Sequence, residues 1–214
     1  MKKLCVVIHT CDKYDFCWEG WNYYFQKNWD HAGLDVYFLN ENVDVDYANV
    51  KQFKSGTGEW SDRLIKFLTS VEYEHILYMQ EDMWLLENID VQKYYSDFLK
   101  YDMNALRLLN NIGGDNIHYR FQDFDDEALL KFAANSTYLL SHQPSIWKKQ
   151  YFLECLLPNE NPWDNEMNGT IRIWGKPEDP KIYAVRNLPT WYTPVSAKGK
   201  LTNEGLTLLE KTKI

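Results

Sequence analysis

Residues 76–87 read ILYMQEDMWLLE, and this stretch decides which fold class the chain can adopt. Its first four residues are apolar or aromatic and suit a buried strand, which then stops at Gln80, Glu81 and Asp82. A strand end that faces solvent is an ordinary place for polar side chains. Two adjacent carboxylates repel each other, however, and therefore also favour a site that receives a cation or a proton.

Two further strands, with helices between them, precede this stretch. Lys3–His9 and Asp35–Leu39 have the short apolar pattern of strands, and helices are predicted over about Trp18–Trp29 and Trp60–Val71. The order strand, helix, strand, helix, strand is typical of a parallel sheet covered by helices. We therefore predict an α/β fold with a Rossmann-like, mostly parallel sheet flanked by helices, in which a ligand binds at the carboxyl ends of the strands.

The rest of the chain continues this alternation less regularly. Residues 42–59 and 110–127 are polar and contain glycine, which indicates loops. Asp90 and the Asn161-Pro162 pair are suited to begin helices. We see no internal repeat and no linker, so residues 1–214 are predicted to form a single domain. The further predicted elements are helices over about Val91–Leu99, Glu127–Ala134 and Trp163–Trp174, and strands at Ala105–Leu109, in TYLLS (137–141), in QPSIW (143–147) and at Lys181–Val185.

Composition argues against several classes of protein. A formal net charge of −8 argues against a nucleic-acid binder, which requires a basic face. No apolar run is long enough to span a bilayer, and MKKLCVVIHTCDKY is a poor secretory signal, so we expect a cytoplasmic protein without a transmembrane segment. The 9 Trp, 15 Tyr and 10 Phe residues are mostly expected in the core, although a sugar-binding cleft would use some of them against pyranose rings.

The polar residues that follow the three strands are candidates for a ligand site. A parallel sheet brings His9–Asp12, Asn40 and Gln80–Asp82 to one edge. No GxGxxG motif follows the first strand, and the chain has no GxxxxGK[ST] loop, so glycine amides are not available to hold a diphosphate. A divalent cation on Asp82 can supply the positive charge instead, because Mg²⁺ and Mn²⁺ prefer oxygen ligands and bridge phosphates.

Several motifs, in this order along most of the chain, resemble the GT-A family of glycosyltransferases. ILYMQEDMWL is similar to the family's strand and DxD-type metal motif, with Gln80 at the position of the first acid and Asp82 at that of the second. VVIHTCDKYD (6–15) is similar to its nucleoside-binding start, and GEWSDRL (58–64) to the helix that approaches the donor. SHQPSIWKKQYF (141–152) and ENPWDNE (160–166) are similar to its acceptor side.

This resemblance implies transfer of a glycosyl group from a nucleoside diphosphate, UDP favoured, to a hydroxyl of a cell-surface or capsid glycan or of a glycolipid. It implies a nucleotide-sugar half (1–110), an acceptor half (111–214) and a Mn²⁺ or Mg²⁺ ion on Asp82. It is compatible with a protein bound at the periphery of a membrane and with a chain that is one module of a longer protein. The implied donor-binding residues are His9, Thr10, Asp12, Asn40, Trp60, Arg63, Gln80, Glu81 and Asp82, and the implied acceptor-binding residues are His142, Gln143 and Trp163.

An inverting enzyme of this kind also needs a base for the acceptor hydroxyl. The WDNE segment offers Asp164 and Glu166, and the family places its acid at about this point. We prefer Asp164 to Glu166, with His142 as a further candidate. A retaining enzyme would not need this base, and the sequence leaves both stereochemical outcomes open.

Each of these residues also has an ordinary structural interpretation. The Glu81-Asp82 pair can be a solvated strand end, and acids such as Asp164 are favoured in a first helical turn by the helix dipole alone. Arg63 can pair with a neighbouring carboxylate, and Trp163 can be a packing residue. Two other functions stay open: a non-catalytic carbohydrate-binding module, and a sugar nucleotidyltransferase, which shares the topology but normally has a basic glycine-rich loop after the first strand.

Overall fold

The sheet is organised around its first strand, β1, which spans Lys2–His9. The computed structural model describes residues 2–29, 33–108, 119–186 and 190–213. Along β1, Val6 and Ile8 belong to the core on one face of the sheet, and Cys5 and Val7 to the core on the other face. All four are fully buried, as expected for a central strand with helices on both sides.

Strands and helices alternate along the described residues. The strands are β1 (Lys2–His9), β2 (Asp35–Asn40), β3 (Lys51–Lys54), β4 (Tyr73–Gln80), β5 (Met83–Leu85), β6 (Ala105–Arg107), β7 (Phe121–Gln122), β8 (Leu129–Phe132), β9 (Ser145–Lys148), β10 (Ile182–Val185), β11 (Tyr192–Pro194), β12 (Ser196–Ala197) and β13 (Lys200–Leu201). The helices are α1 (Trp18–Asn28), α2 (Trp60–Ser70), α3 (Val91–Lys100), α4 (Lys149–Glu154), α5 (Pro162–Trp174) and α6 (Asn203–Glu210), with 3₁₀ turns at Asp12–Cys17 and Lys211–Lys213. None of these described helices combines the length and the apolar character needed to cross a bilayer.

Nine of the strands form one mixed sheet in the order β3-β2-β1-β4-β9-β6-β10-β8-β7. The pairs β3-β2, β2-β1, β1-β4 and β6-β10 are parallel. Strand β9 runs antiparallel to both β4 and β6, and β8 runs antiparallel to both β10 and β7. Because β1, β2 and β4 run in the same direction, the polar residues that follow them lie at one edge of the sheet.

Helices cover both faces of the sheet. On one face, Trp21 of α1 and Phe98 of α3 pack into a core with β1 and β4. On the other face, Phe67 of α2, Phe152 of α4 and Ile173 of α5 pack into a second core. The fold is therefore α/β, with a Rossmann-like, mostly parallel sheet flanked by helices in a single domain, and the sequence prediction of the fold class is confirmed.

The predicted helix starts are confirmed in detail. The Asp90 carboxylate accepts a hydrogen bond from the Lys93 backbone N–H at 2.9 Å, which caps α3. The Asn161 side chain accepts one from the Asp164 backbone N–H at 2.9 Å, and Pro162 occupies the first position of α5. The Asn161 cap fixes where α5 begins, and hence which way the residues of its first turn face.

Two predicted elements in the second half are wrong. The helix near Glu127–Ala134 is instead strand β8, because pairing with β10 outweighs the local preference of these residues for helix. The strand in TYLLS does not form. Tyr138 has φ +48°, a left-handed backbone conformation that interrupts an extended segment, and residues 137–140 form turns and bends.

The predicted loops contain short strands. Strand β3 lies within the predicted loop 42–59 and pairs with β2 as a parallel edge strand. It has a lysine at each end, and such charges hinder pairing of the edge with another chain. Three predictions fall wholly or partly outside the described residues. They are part of the predicted loop 110–127, the last residue of the predicted strand Ala105–Leu109, and the predicted boundary between residues 110 and 111. Strand β7 lies in the described part of that loop.

Gly20 on α1 gives a first testable prediction. A Cβ atom at Gly20 would lie 2.0 Å from the ring of Trp84, which is fully buried in β5 directly after the acid pair. We expect Gly20→Ala to lower the free energy of unfolding by about 1–3 kcal/mol, because the ring and α1 must move apart. Urea denaturation measures this change.

Gly175 is the matched control for this substitution. It has φ −75° at the C-terminal end of α5, and a Cβ there would meet its neighbours at 3.6 Å or more. Gly175→Ala should therefore leave stability unchanged or raise it by about 0.4–1 kcal/mol. Equal midpoints for Gly20→Ala and the wild type would contradict the close packing of α1 on β5.

Candidate functional site

A cavity of about 720 Å³ lies at the carboxyl edge of the sheet. The ends of β1 and β4, the first turns of α2 and α5, and residues 194–198 contribute to its walls. Its size is that of a small-molecule site, and its position is the one at which α/β sheets hold ligands. The sequence-predicted site residues that line it are His9, Thr10, Trp60, Arg63, Gln80, Glu81, Asp82, His142, Gln143, Trp163 and Glu166.

The acid pair forms the floor of the cavity at the end of β4. Glu81 is only 5% exposed, and burial, followed by the charge of Asp82, raises the pKa of its carboxyl well above the usual range. Burial also raises the pKa of Asp82, although one carboxylate oxygen, Oδ2, accepts a hydrogen bond from the Ser196 hydroxyl at 2.8 Å. The other oxygen, Oδ1, is buried without a hydrogen-bond partner among the described residues. An unpaired carboxylate oxygen in a cavity wall is suited to a cation or a donor from a ligand.

Arg63 brings a positive charge into the same cavity from the first turn of α2. Its Nη1 donates to the backbone carbonyl of Thr10, at the end of β1. The Thr10 hydroxyl accepts in turn from the indole N–H of Trp18 at 2.8 Å, which fixes this end of β1 against α1. The Arg63 Nε is buried and has no hydrogen-bond partner within the described ranges. The guanidinium is therefore held in place and retains donor capacity.

Two histidines pack on Trp60 in the cavity wall. The ring of His9 stacks on Trp60 with centroids 5.3 Å apart at 28°, and the ring of His142 lies 4.2 Å from the same indole. The Trp60 N–H donates to the Tyr78 hydroxyl at 3.2 Å, which orients the indole. Burial lowers the pKa of His9 and lowers that of His142 to about 3, so both rings are neutral at physiological pH. A group with so low a pKa is a weak base, which disfavours His142 as the proton acceptor.

The two candidate bases on α5 occupy different environments. Glu166 lines the cavity, and its Oε1 accepts from the His142 backbone N–H at 2.7 Å. Burial raises the pKa of Glu166. Asp164 is exposed and is not among the cavity-lining residues, and its Oδ2 accepts from the Asn161 side chain at 2.6 Å. The sequence preference for Asp164 over Glu166 is thus not supported by position, since Asp164 belongs to the cap of α5.

Asp12 and Asn40 also lie outside the cavity lining. The Asp12 carboxylate accepts from the backbone N–H groups of residues 41, 42 and 43 at 3.0–3.2 Å. Asn40 is fully buried, and its amide donates to Asp12 and to the Val43 carbonyl. These two residues hold the turn after β2 against the turn after β1, so their contribution to the site is structural.

The residues predicted for the acceptor side also line the cavity. Trp163 lines the cavity and is 69% exposed, which is unusual for a residue whose role is packing. Gln143 lines it as well, and its side-chain oxygen accepts from the Tyr192 hydroxyl at 3.1 Å. A large exposed ring beside a polar amide can stack on the apolar face of a sugar and hydrogen-bond to its hydroxyls.

Sequence reasoning missed the contribution of the C-terminal segment. Tyr14 and Cys11 line the cavity after β1, but Ser196, Ala197 and Lys198 come from a region after Lys181–Val185 in which no element was predicted. The Lys198-Gly199 pair between short polar segments was an available turn signal. The approach of this segment to Asp82 depends on the pairing of β11 with β5, which has no local sequence signal.

The donor atoms around Asp82 fit a cation only in combination with a ligand. No group of three or more His, Cys, Asp or Glu side chains that could hold a metal occurs in the part of the chain that the structure describes. Mg²⁺ and Mn²⁺ are commonly bound by one or two carboxylates together with water and substrate phosphates. The free Oδ1 of Asp82 and the adjacent Glu81 match that incomplete type of site.

Comparison with solved structures finds the same fold in two other proteins. S. aureus TarS 1–349 matches with a TM-score of 0.59 at 15% identity over 89% of this chain, and its complex with UDP-GlcNAc matches with 0.61 at 14% over 93%. A UDP-glucose pyrophosphorylase complexed with UDP-glucose matches with 0.61 at 11% identity, over 100% of this chain and 99% of that one. The chain spans only 59% and 60% of the two TarS chains.

No family model and no curated protein sequence matches the chain. Identities of 11–15% carry information about the fold alone. The chain has the GT-A fold of glycosyltransferases.

Proposed function

We propose that this chain is a glycosyltransferase that moves a sugar from a nucleoside diphosphate, UDP favoured, to a hydroxyl acceptor. The observation that carries the proposal is the composition of one cavity. It is lined on the β4 side by Asp82, whose Oδ1 has no hydrogen-bond partner among the described residues, and on the α5 side by Glu166. The UDP and UDP-GlcNAc complexes of TarS and the UDP-glucose complex of the pyrophosphorylase support a uridine nucleotide as the donor.

On the donor side, the cavity must stabilise the diphosphate as it gains charge. Asp82, with Glu81 beside it, would hold a Mn²⁺ or Mg²⁺ ion, and such an ion would supply positive charge to the phosphate oxygens. Arg63 contributes a fixed positive charge through the guanidinium anchored to Thr10. Gln80 lines the cavity as a neutral hydrogen-bonding group, and His9 with Trp60 provides an apolar wall.

On the acceptor side, Glu166 is the proposed base of an inverting reaction. The acceptor hydroxyl gives its proton to the Glu166 carboxylate as its oxygen forms the new bond to the anomeric carbon. The bond from that carbon to the phosphate oxygen breaks, and the nucleoside diphosphate leaves with the electron pair. Trp163 and Gln143 would orient the acceptor, which we propose to be a glycan or a glycolipid.

A sugar nucleotidyltransferase is the second candidate, because the pyrophosphorylase matches along the whole of this chain and 99% of its own. The turn after β1 reads TCDKYD (10–15) and lacks the glycines expected of that class. The two activities use different substrates. Release of UDP from a UDP-sugar and an acceptor indicates transfer, whereas release of pyrophosphate from UTP and a sugar 1-phosphate indicates nucleotidyl transfer.

The first experiment is a thermal-shift panel with UDP, UDP-GlcNAc, UDP-glucose, ADP and GDP, each with and without Mn²⁺. A ligand at about 100 times its Kd stabilises the native state by about 2.7 kcal/mol, which raises Tm by about 5–10 °C in a chain of this size. We expect selective stabilisation by uridine diphosphates, larger with Mn²⁺. If no nucleotide raises Tm, the donor site is wrong, and sugar binding without turnover would favour a carbohydrate-binding module.

A further inference from the structure

The hairpin formed by β12 and β13 has an unusual residue at its tip. Ser196–Ala197 pairs with Lys200–Leu201 around a two-residue turn. Both turn residues have left-handed backbone conformations, with φ +53° at Lys198 and +74° at Gly199. Turns of this kind strongly favour Asn, Asp or Gly at the first position, and lysine is disfavoured there. An unfavourable residue at such a position points to a role for its side chain.

The tip of this hairpin lines the cavity, and its base is tied to the acid pair. Lys198 contributes to the cavity wall. The Ser196 hydroxyl donates to Oδ2 of Asp82 at 2.8 Å, and the Val195 N–H donates to the Asp82 carbonyl at 2.9 Å. Behind the hairpin, Gly205 of α6 packs so closely that a Cβ would lie 2.6 Å from the Val195 carbonyl oxygen. The hairpin therefore presents Lys198 from a fixed base beside Asp82.

Lys198 is the second basic side chain of the cavity, besides Arg63. Glu81, Asp82 and Glu166 are acidic, and Arg63 and Lys198 are the basic side chains among the described lining residues. Nη1 of Arg63 already donates to the Thr10 carbonyl. A diphosphate carries more charge than one partly engaged guanidinium balances, and a flexible ammonium group can reach more than one phosphate oxygen.

We propose that Lys198 binds the terminal phosphate of the nucleoside diphosphate and thereby makes the site selective for diphosphates over monophosphates. The inference rests on the proposed function, because it assumes that a nucleotide enters this cavity. The charge is supplied by the chain itself, from a hairpin whose other end holds Asp82. Lys198 would contact the phosphate whose bond to the sugar breaks during transfer.

Two neutral substitutions at the same position test the charge. Lys198→Asn places a residue that this turn favours, so Tm should stay the same or rise. Lys198→Gln keeps an unbranched polar side chain without the charge, and it keeps an unfavourable turn residue. Both should weaken UDP binding by about tenfold, since a charge-assisted hydrogen bond to phosphate is lost, and both should affect UMP much less. Lys198→Arg should retain most of the UDP affinity.

Lys200→Asn is the matched control, because Lys200 lies on the same hairpin and is exposed but does not line the cavity. Isothermal titration of UDP and UMP into each purified full-length variant measures the ratio of the two affinities. Wild-type ratios in both neutral variants would overturn the inference, as would an equal loss in Lys200→Asn. The wild type is titrated with UDP before any variant is made. If it binds no uridine diphosphate, the proposed function itself is wrong.

Discussion

Replacing Glu166 by Gln is expected to lower kcat by about 10²–10⁴-fold while the affinity for the donor nucleotide stays close to that of the wild type. The substitution keeps the shape of the side chain and an oxygen that can accept from the His142 N–H, but it removes the ability to take the acceptor proton. Steady-state kinetics with a UDP-sugar, together with titration of UDP into the variant, separate the loss of chemistry from a loss of binding.

The matched control is Asp164→Asn, which neutralises an acid two residues earlier on the same helix. Asp164 accepts from Asn161 outside the cavity, so the substitution should change kcat by less than about twofold, as expected for a group that touches neither substrate. A large loss in Asp164→Asn with an active Glu166→Gln would restore the sequence-based assignment. Full activity in both variants would indicate a mechanism that needs no carboxylate base on α5.

The pH dependence of the wild type follows from the same carboxyl group. Burial raises the pKa of Glu166, opposed by the His142 N–H, the Arg107 guanidinium and the Ser141 hydroxyl. The base works only when ionised, so kcat should fall about tenfold per pH unit below this raised pKa and reach a plateau above it. The acidic limb should disappear in Glu166→Gln.

The stability of the wild type should respond to pH in the opposite sense to its activity. A carboxyl group whose folded-state pKa is raised binds more protons in the native state than in the unfolded state, so it lowers stability as pH rises from about 4.5 through the folded pKa. Glu166→Gln removes this effect and should not lower Tm at pH 7. A variant that is inactive and equally stable would therefore show a role in chemistry and not in folding.

The choice between the two candidate bases illustrates what sequence can and cannot predict. The Asn161-Pro162 signal places the start of α5 correctly, and with it Asp164 in the first turn and Glu166 just after it. Residues 164 and 166 are separated by about 200° around a helix axis, so only one of them can face a given wall. Which one does so is decided by the buried side of α5, at Gly169 and Ile173, whose partners come from distant parts of the chain.

The strand ends were predictable for a different reason. Buried strands read as apolar runs, and the polar residues that follow parallel strands share one edge whatever the details of packing, so His9, Thr10 and Asp82 could be grouped in advance. Asn40 also lies at the end of a parallel strand, β2, which pairs with β3 on its outer side. The Asn40 amide, however, donates to the Val43 carbonyl within the turn after β2. The hairpin with Lys198 is brought in by a long-range pairing that no local pattern encodes.

The second large effect concerns Asp82. We expect Asp82→Asn to abolish the gain in UDP affinity that Mn²⁺ gives to the wild type, and to lower kcat/KM with a UDP-sugar by at least about 10²-fold. The Asn oxygen can still accept from the Ser196 hydroxyl, which leaves the N–H₂ group at the position of the unpaired Oδ1. Two N–H donors at that position repel a cation, whereas the volume of the side chain and its packing are unchanged.

Ser196→Ala separates the positioning of Asp82 from its charge. Without the hydroxyl, Oδ2 loses its partner at 2.8 Å, and the carboxylate keeps its charge but not its orientation, so the gain from Mn²⁺ should be reduced and not abolished. Titrations of UDP into wild type, Asp82→Asn, Ser196→Ala and Asp164→Asn, each with Mn²⁺ and with a chelator, give the four differences. A Mn²⁺ effect that survives in Asp82→Asn would place the cation elsewhere. A wild type that binds UDP equally well with a chelator would leave Arg63 and Lys198 as the groups that balance the diphosphate, and the site would then work without a metal.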